Sequence, residues 1–181
     1  MTRIISGLVG GRRIEVPKSG VRPTTDRVRE SLFSALDSRI QNWNQIQVLD
    51  LFAGSGALGI EALSRGATAA TFVEQDKQAA QIISKNLKDL NLSGDVVVAN
   101  ALNFQPANSY NLVIADPPYE VSDQQLQDLV YLIKDRIDQA GLVVVERGSK
   151  SEFSWPSGFE GLITRNYGDT AIFLSLRRDK P

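Results

Sequence analysis

Apolar residues recur along this chain with two different periods, and the switches between them outline most of its elements. From Val48 onward, short apolar runs alternate with segments whose apolar positions fall three or four residues apart. That is the pattern of parallel strands connected by helices, so the fold class is α/β. The runs predict strands at 47–51, 69–74, 95–99, 110–115 and 141–146, with helices near 57–65, 77–91 and 123–138. The last helix opens with a capping box, Ser122 followed three residues later by Gln125, and carries Leu126, Leu129, Val130, Ile133 and Ile137 on one face. Two β-rich runs, 159–166 and 170–177, turn at Gly168-Asp169 and predict a closing hairpin.

The beginning of the chain reads differently. Arg3-Ile4-Ile5 and Arg12-Arg13-Ile14-Glu15-Val16 predict two short strands joined through Gly7, Gly10 and Gly11, a basic hairpin. A turn-rich link from Pro17 to Pro23 follows. Thr24 or Thr25 can then cap a helix whose Val28, Leu32, Leu36 and Ile40 recur every four residues. The expected organisation is an N-terminal extension, 1–23, on a single domain, 24–181. A chain of 181 residues has the length of one domain and can bury roughly 70% of its unfolded surface.

Composition narrows the chemistry by two zeros. With no cysteine, thiol nucleophiles, disulfides, thiolate zinc sites and cysteine-held iron–sulfur clusters are excluded. With no histidine, the commonest acid–base side chain near neutral pH is absent as well. Catalysis must rest on carboxylates, backbone groups, aromatics or a cofactor, and no metal is expected. No apolar run approaches the roughly 18 residues of a membrane span, and the start lacks the apolar stretch of a signal peptide. A cytoplasmic protein is therefore expected. Net charge is −1, but residues 1–30 hold seven basic and three acidic side chains, so a basic arm meets an acidic remainder. Such asymmetry suits a face that meets phosphates.

The first strand runs into Asp50-Leu51-Phe52-Ala53-Gly54-Ser55-Gly56-Ala57-Leu58-Gly59, which puts glycines at a strand-to-helix junction where backbone can pass close to a nucleotide-type cofactor. Gly54, Gly56 and Gly59 also spell the GxGxxG of NAD enzymes, so spacing alone leaves the cofactor open. Glu74 ends the second strand, where a carboxylate can accept hydrogen bonds from ribose hydroxyls under either reading. Asn100 and Ala101, beyond the third strand, would lie by an adenine, although Asn100 could equally cap a loop. Asp50, together with the fourth-strand motif, separates the readings: it would repel a pyrophosphate and favours the cationic sulfonium and ammonium of S-adenosylmethionine, the alternative being that it caps the start of the helix.

The fourth strand delivers Asp116-Pro117-Pro118-Tyr119 at its carboxyl end, the edge where ligands bind in open α/β sheets. An exocyclic amine on a base is a poor nucleophile because its lone pair is delocalised into the ring. Hydrogen bonds from its N–H groups to the Asp116 carboxylate and the Pro117 carbonyl would favour a pyramidal nitrogen. The two prolines stiffen the turn, and Tyr119 can stack on a base withdrawn from its helix.

Three segments together resemble the bacterial 16S rRNA guanine-N2 methyltransferase family of the RsmD type: Arg22-Pro23-Thr24-Thr25-Asp26-Arg27-Val28-Arg29-Glu30-Ser31-Leu32-Phe33, the stretch from Asp50 to Gly66, and Asp116-Pro117-Pro118-Tyr119. The resemblance implies a class I methyltransferase, Rossmann-like fold with helices on both faces of a seven-stranded, mostly parallel sheet in the order 3-2-1-4-5-7-6. It implies S-adenosylmethionine as methyl donor and, as target, a guanine of 16S rRNA within the 30S subunit or its precursor, with a monomeric enzyme. By position, Thr24, Thr25 and Arg27 would lie near the cofactor or target entrance, Phe52 would join the cofactor set, and Arg3, Arg12, Arg13 and Arg22 would meet rRNA phosphates. A DNA or RNA adenine-N6 methyltransferase, an NAD-dependent oxidoreductase and a non-catalytic ribosome-assembly factor are the rival readings.

Overall fold

The computed structural model of the chain describes residues 1–17 and 25–178. Two short strands, β1 (Thr2–Arg3) and β2 (Arg13–Ile14), pair antiparallel near the N-terminus. Helix α1 (Asp26–Asp37) follows, capped by Thr25, whose hydroxyl accepts the N–H of Val28. Then come β3 (Gln47–Leu51), α2 (Ala57–Ser64), β4 (Ala69–Glu74), α3 (Lys77–Asp89), β5 (Asp95–Val98), β6 (Tyr110–Ala115), α4 (Asp123–Leu132), β7 (Ile137–Gly148), β8 (Phe159–Tyr167) and β9 (Thr170–Arg177).

The main sheet has seven strands in the order β5-β4-β3-β6-β7-β9-β8. Counted from β3, this is the expected 3-2-1-4-5-7-6. Strands β3 to β7 pair in parallel, and β9 enters antiparallel between β7 and β8. The chain order reverses between β3 and β6, which leaves a crevice beyond their carboxyl ends.

Each face of the sheet is covered. On one, Val48, Ile114, Val144 and Leu174 pack with residues of α1, α2 and α3. On the other, Leu49, Val113, Val143 and Phe173 pack under Leu126, Leu129 and Val130 of α4. Consecutive residues of one strand divide between the two cores, as the two-residue period of a strand dictates.

The N-terminal arm is fastened to the first of these layers. Ile4 and Ile14 are fully buried there, a gain of about 1.5–3 kcal/mol each. The carboxylate of Glu61, itself buried in α2, accepts the backbone N–H groups of Ile5 (2.6 Å) and Ser6 (3.1 Å) and the Arg65 guanidinium (2.9 Å). Ser64 adds two further ties: its carbonyl accepts Leu8 N–H and its hydroxyl donates to the carbonyl of Ser6. Gly7 lies so close to α2 that a Cβ there would sit 1.9 Å from the Ser64 carbonyl oxygen.

One predicted element ends early. The apolar spacing through Ile133 and Ile137 suggested a helix to residue 138, but α4 stops at Leu132 and a 3-10 turn, Lys134–Arg136, follows. Ile137 opens β7 and pairs with Tyr110 across an irregularity in the ladder. Both isoleucines remain buried in the same core, so the spacing marked the face correctly and the element wrongly.

Candidate active site

The carboxyl ends of β3, β4, β6 and β7 open into one cleft of about 480 Å³. Its walls hold Asp50, Phe52 and Gly54 after β3, Glu74 and Asp76 after β4, Asp116 to Tyr119 after β6, and Glu146 and Arg147 at the end of β7. Thr25 and Ala101 also line it. Most of the residues singled out from the sequence are therefore gathered around one space.

The glycine loop follows a strained path. Phe52 (φ 60°), Gly54 (φ 56°) and Gly56 (φ 77°) all lie in the left-handed region, which favours glycine and makes Phe52 a notable exception. The path turns the chain sharply, so that Gly54 directs its N–H to Glu74 Oε2 at 2.8 Å. The other oxygen of Glu74 accepts Asp76 N–H at 2.8 Å. Glu74 thereby fixes the loop against its own strand end, and each carboxylate oxygen keeps further acceptor capacity for ligand hydroxyls. Gly56 does not line the cleft. It sits against α3, where a Cβ would come within 3.1 Å of Ile83. Close helix packing accounts for that glycine.

Asp50 is buried beneath the loop, and its Oδ2 accepts the N–H of Gly59 at 2.9 Å, in the first turn of α2. It thus caps a helix and faces the cleft at once. Burial pushes its carboxyl well above the ordinary value; the Gly59 hydrogen bond opposes this, and the neighbouring charges of Asp116 and Glu74 add to it. A positive ligand charge in the cleft would relieve that repulsion.

Asn100 takes a different role from the adenine contact considered above. Its side-chain oxygen accepts Leu102 N–H at 2.9 Å and caps a 3-10 turn, Ala101–Asn103. The residue is exposed and outside the lining, while Ala101 and Ala99 border the cleft.

In the β6 turn, Pro117 is buried and Tyr119 is 65% exposed at the rim. The Pro118 carbonyl accepts Val121 N–H at 3.1 Å and closes the turn. Arg147 holds this turn from behind, donating to the Val121 carbonyl and to Asp123, both at 2.8 Å. Asp123 also accepts Ser151 Oγ–H and Glu152 N–H. The rigid platform is thus made by contacts between β7 and the start of α4.

Several lining residues carried no sequence signal of their own. Arg29 on α1 is buried and reaches Thr2, Asp26 and the carbonyl of Arg3 at 2.6–3.0 Å. Desolvation lowers its pKa and the nearby charges of Asp26 and Glu61 oppose that change. Tyr167, at the end of β8, hydrogen-bonds Ser31 of α1 across the cleft mouth. Glu146 is also new, and only its position after the apolar run of β7 could have drawn notice.

Of the basic positions, Arg3, Arg12, Arg13 and Arg27 are exposed. Arg12 donates to the Asp89 carbonyl at the far end of α3, and Arg3 pairs with Asp26. The expectations for Arg22 and Thr24 lie outside the described residues. Among the described residues, there is no cluster of side chains suited to a metal and no helix long and apolar enough to cross a membrane.

A family model described as Conserved hypothetical protein 95 matches residues 2–175. The ribosomal RNA small subunit methyltransferase D of Escherichia coli K12 is 44% identical over 150 residues, spanning 80% of this chain and 73% of that protein. The protein of the same name from Haemophilus influenzae is 46% identical over 125 residues, 65% of this chain and 63% of that one. The solved structure of the Escherichia coli protein yhhF superposes with a TM-score of 0.86 at 37% identity, covering 97% of each chain. The magnesium protoporphyrin IX methyltransferase of Synechocystis PCC 6803, solved with bound SAM, shares the fold at 13% identity and a TM-score of 0.68 over 83% of this chain and 78% of that one.

Proposed function

This chain belongs to the Conserved hypothetical protein 95, or RsmD, family of methyltransferases, and from that membership we propose that it moves a methyl group from S-adenosylmethionine to the exocyclic N2 amine of a guanine in 16S rRNA. The substrate is the RNA within the 30S subunit or its precursor. The observation that carries the reading is the Asp116-Pro117-Pro118-Tyr119 turn, which opens into a cleft shared with Glu74 and Asp50.

The residues fit the cofactor. Carboxylates from four strand ends face the cleft, an environment that attracts a cation and repels a pyrophosphate. That balance favours S-adenosylmethionine over a nicotinamide dinucleotide. Glu74 would receive the ribose hydroxyls, Gly54 and Phe52 would border the amino-acid portion near Asp50, and Ala99 and Ala101 would flank the adenine. When bound, S-adenosylmethionine supplies an electrophilic methyl group on a sulfonium.

The chain's own part is to bind, orient and polarise. Asp116 and the Pro117 carbonyl accept the amine hydrogens, hold the nitrogen lone pair toward the donor and stabilise positive charge as it develops on nitrogen. Tyr119, exposed at the rim, stacks on the withdrawn base. Direct transfer needs no covalent enzyme intermediate, in keeping with the absence of cysteine.

The test is tritiated-methyl transfer to small subunits from a strain that lacks this enzyme, followed by mass mapping of the labelled rRNA. One N2-methylguanine is expected. Label on an adenine, or binding of NAD in place of S-adenosylmethionine by calorimetry, would overturn the reading.

A further inference from the structure

Three carboxylates lie toward the carboxyl ends of three adjacent strands, Asp50 in β3 level with Ile114 and Val144 and therefore two residues below Asp116 and Glu146. In β3, Val48 faces the α1 layer, so Asp50, two residues on, faces the same way; in β7, Val144 leads likewise to Glu146, and Asp116 stands just beyond β6, two residues after Ile114 of the same layer. The parallel ladder ends at Ala115↔Val145, so Asp116 and Glu146 each follow directly on its last pair, where neighbouring strands run about 4.8 Å apart. Both line the cleft, and Glu146 is nine-tenths buried. Asp50, on β3, serves the cofactor side in the proposed reading. Asp116 in the middle carries the amine. The third carboxylate has no part in methyl transfer as derived above.

We propose that Glu146 reads the target base, accepting the ring N1–H of guanine while Asp116 and the Pro117 carbonyl accept the neighbouring N2 hydrogens. This rests on the guanine-N2 reading above and deepens it. The chemistry is selective because guanine presents two adjacent donors on this edge, an amine and a ring N–H, to which two adjacent carboxylates are complementary. Adenine presents its amine beside a ring nitrogen that carries a lone pair. A carboxylate facing that lone pair is repelled, and a polar site built for a donor rejects a base lacking it by a large factor. The Asp116 turn alone offers no such distinction, because it can grip either amine. Neighbouring geometry supports the placement. Tyr119 packs beside β7, its ring 3.5 Å from the place a Cβ would take at Gly148, two residues beyond Glu146. Base platform and edge reader therefore lie close together along the end of β7.

The experiment compares wild-type protein with Glu146→Gln on two substrates: small subunits lacking the methyl group, and the same particles with the target guanine replaced by adenine. Glutamine keeps the size of the side chain, removes its charge and adds an amide donor that adenine N1 can accept. The expected result is at least a 100-fold loss of kcat/KM on guanine, an unchanged Kd for S-adenosylmethionine, an unchanged melting temperature and a shift of the guanine-to-adenine ratio toward adenine. A structural role for Glu146 would not move that ratio. Wild-type turnover on guanine with an unaltered ratio in Glu146→Gln would overturn this inference and leave the proposed function standing. If the variant melts early, Glu146→Asp, which retains the charge, decides the matter: the inference requires it to keep the guanine preference, and loss of that preference overturns it. Methylation of adenine by the wild-type protein would instead overturn the proposed function itself.

Discussion

The carboxylate of Glu61 accepts the backbone N–H of Ile5 at 2.6 Å, joining two residues 56 positions apart in sequence. Glu61 is fully buried, and it also holds Ser6 N–H and the Arg65 guanidinium, which in turn reaches Asp37 at 2.5 Å. Replacing Glu61 by Ala leaves two backbone donors without their acceptor and a largely buried cation with Asp37 alone. Breaking such a buried pair costs about 3 kcal/mol, and for a chain of this size the melting temperature should fall by roughly 6–12 °C. Hydrogen exchange at Ile5 and Ser6 should accelerate in the same variant. Unchanged protection at those amides would show that the isoleucines and the Ser64 hydrogen bonds hold the arm without the carboxylate.

Replacing Gly59 by Ala tests the packing under the cofactor loop. A Cβ at that position would lie 2.3 Å from Phe72 Cε1 and 3.0 Å from Asp50 Oδ2. Phe72 is fully buried between strands and helices, so the ring has little room to yield. Overpacking of this kind costs about 1–3 kcal/mol. Thermal unfolding should show the loss, and cofactor affinity should drop with it because α2 and the Asp50 carboxylate are displaced together.

Asp116→Asn separates chemistry from binding. The amide retains an acceptor but lacks the negative charge that, in the proposed reaction, supports the amine nitrogen as it becomes positive. Loss of a preorganised electrostatic partner of this type reduces kcat by about 10²–10³. S-adenosylmethionine affinity, measured by calorimetry, should stay within a few-fold of wild type. A variant that turns over normally would remove Asp116 from the reaction.

Asp50 predicts a pH dependence with a defined sign. Its carboxyl is raised in the folded protein, chiefly by burial and then by Asp116 and Glu74. The folded chain therefore holds a proton that the unfolded chain has released. The stability this contributes is fully present below the unfolded value and is lost as pH rises through the folded one. A cationic ligand acts in the opposite sense, because it favours ionised Asp50. Binding of S-adenosylmethionine should release a proton and tighten with rising pH across that interval. Calorimetry in buffers of different ionisation enthalpy measures the proton, and Asp50→Asn should abolish it. Equal release in both proteins would assign the linkage to another carboxyl.

The outcome for individual residues shows what a sequence can and cannot carry. Strands β3, β4 and β6 were legible to the residue because a parallel strand covered on both faces is a largely apolar run bounded by polar residues. The Asp116 turn and Glu74 were legible because they terminate such runs. Ile137 misled, since a fourfold spacing persists whether the chain stays helical or turns into a strand that buries the same face. Asn100 was left open and took the local alternative, as a short polar side chain two residues from a free N–H readily does. Arg29 and Glu61 were opaque for another reason. A charged residue on a helix reads as surface, and only the N-terminal arm, arriving from far away in sequence, buries them.

The basic arm yields the last prediction. Arg3, Arg12, Arg13 and Arg27 are exposed, but they are not clustered at the cleft. Arg27 stands in the first turn of α1 beside Thr25, which lines the cleft, whereas Arg12 reaches Asp89 at the opposite end of α3. That helix has 13 residues and is about 20 Å long. The two sites would meet phosphates well separated along the RNA. Each phosphate contact contributes roughly 0.7–0.9 to the slope of log affinity against log salt. Arg12→Gln and Arg27→Gln should each lower the slope for small-subunit binding by about that amount, and the double variant by about twice as much. Cofactor affinity should not change in either. Because charge removal weakens binding without touching the reacting atoms, the loss should appear in KM and disappear in kcat at saturating substrate. A slope that stays constant in the double variant would mean that the RNA approaches the cleft from another side of the molecule.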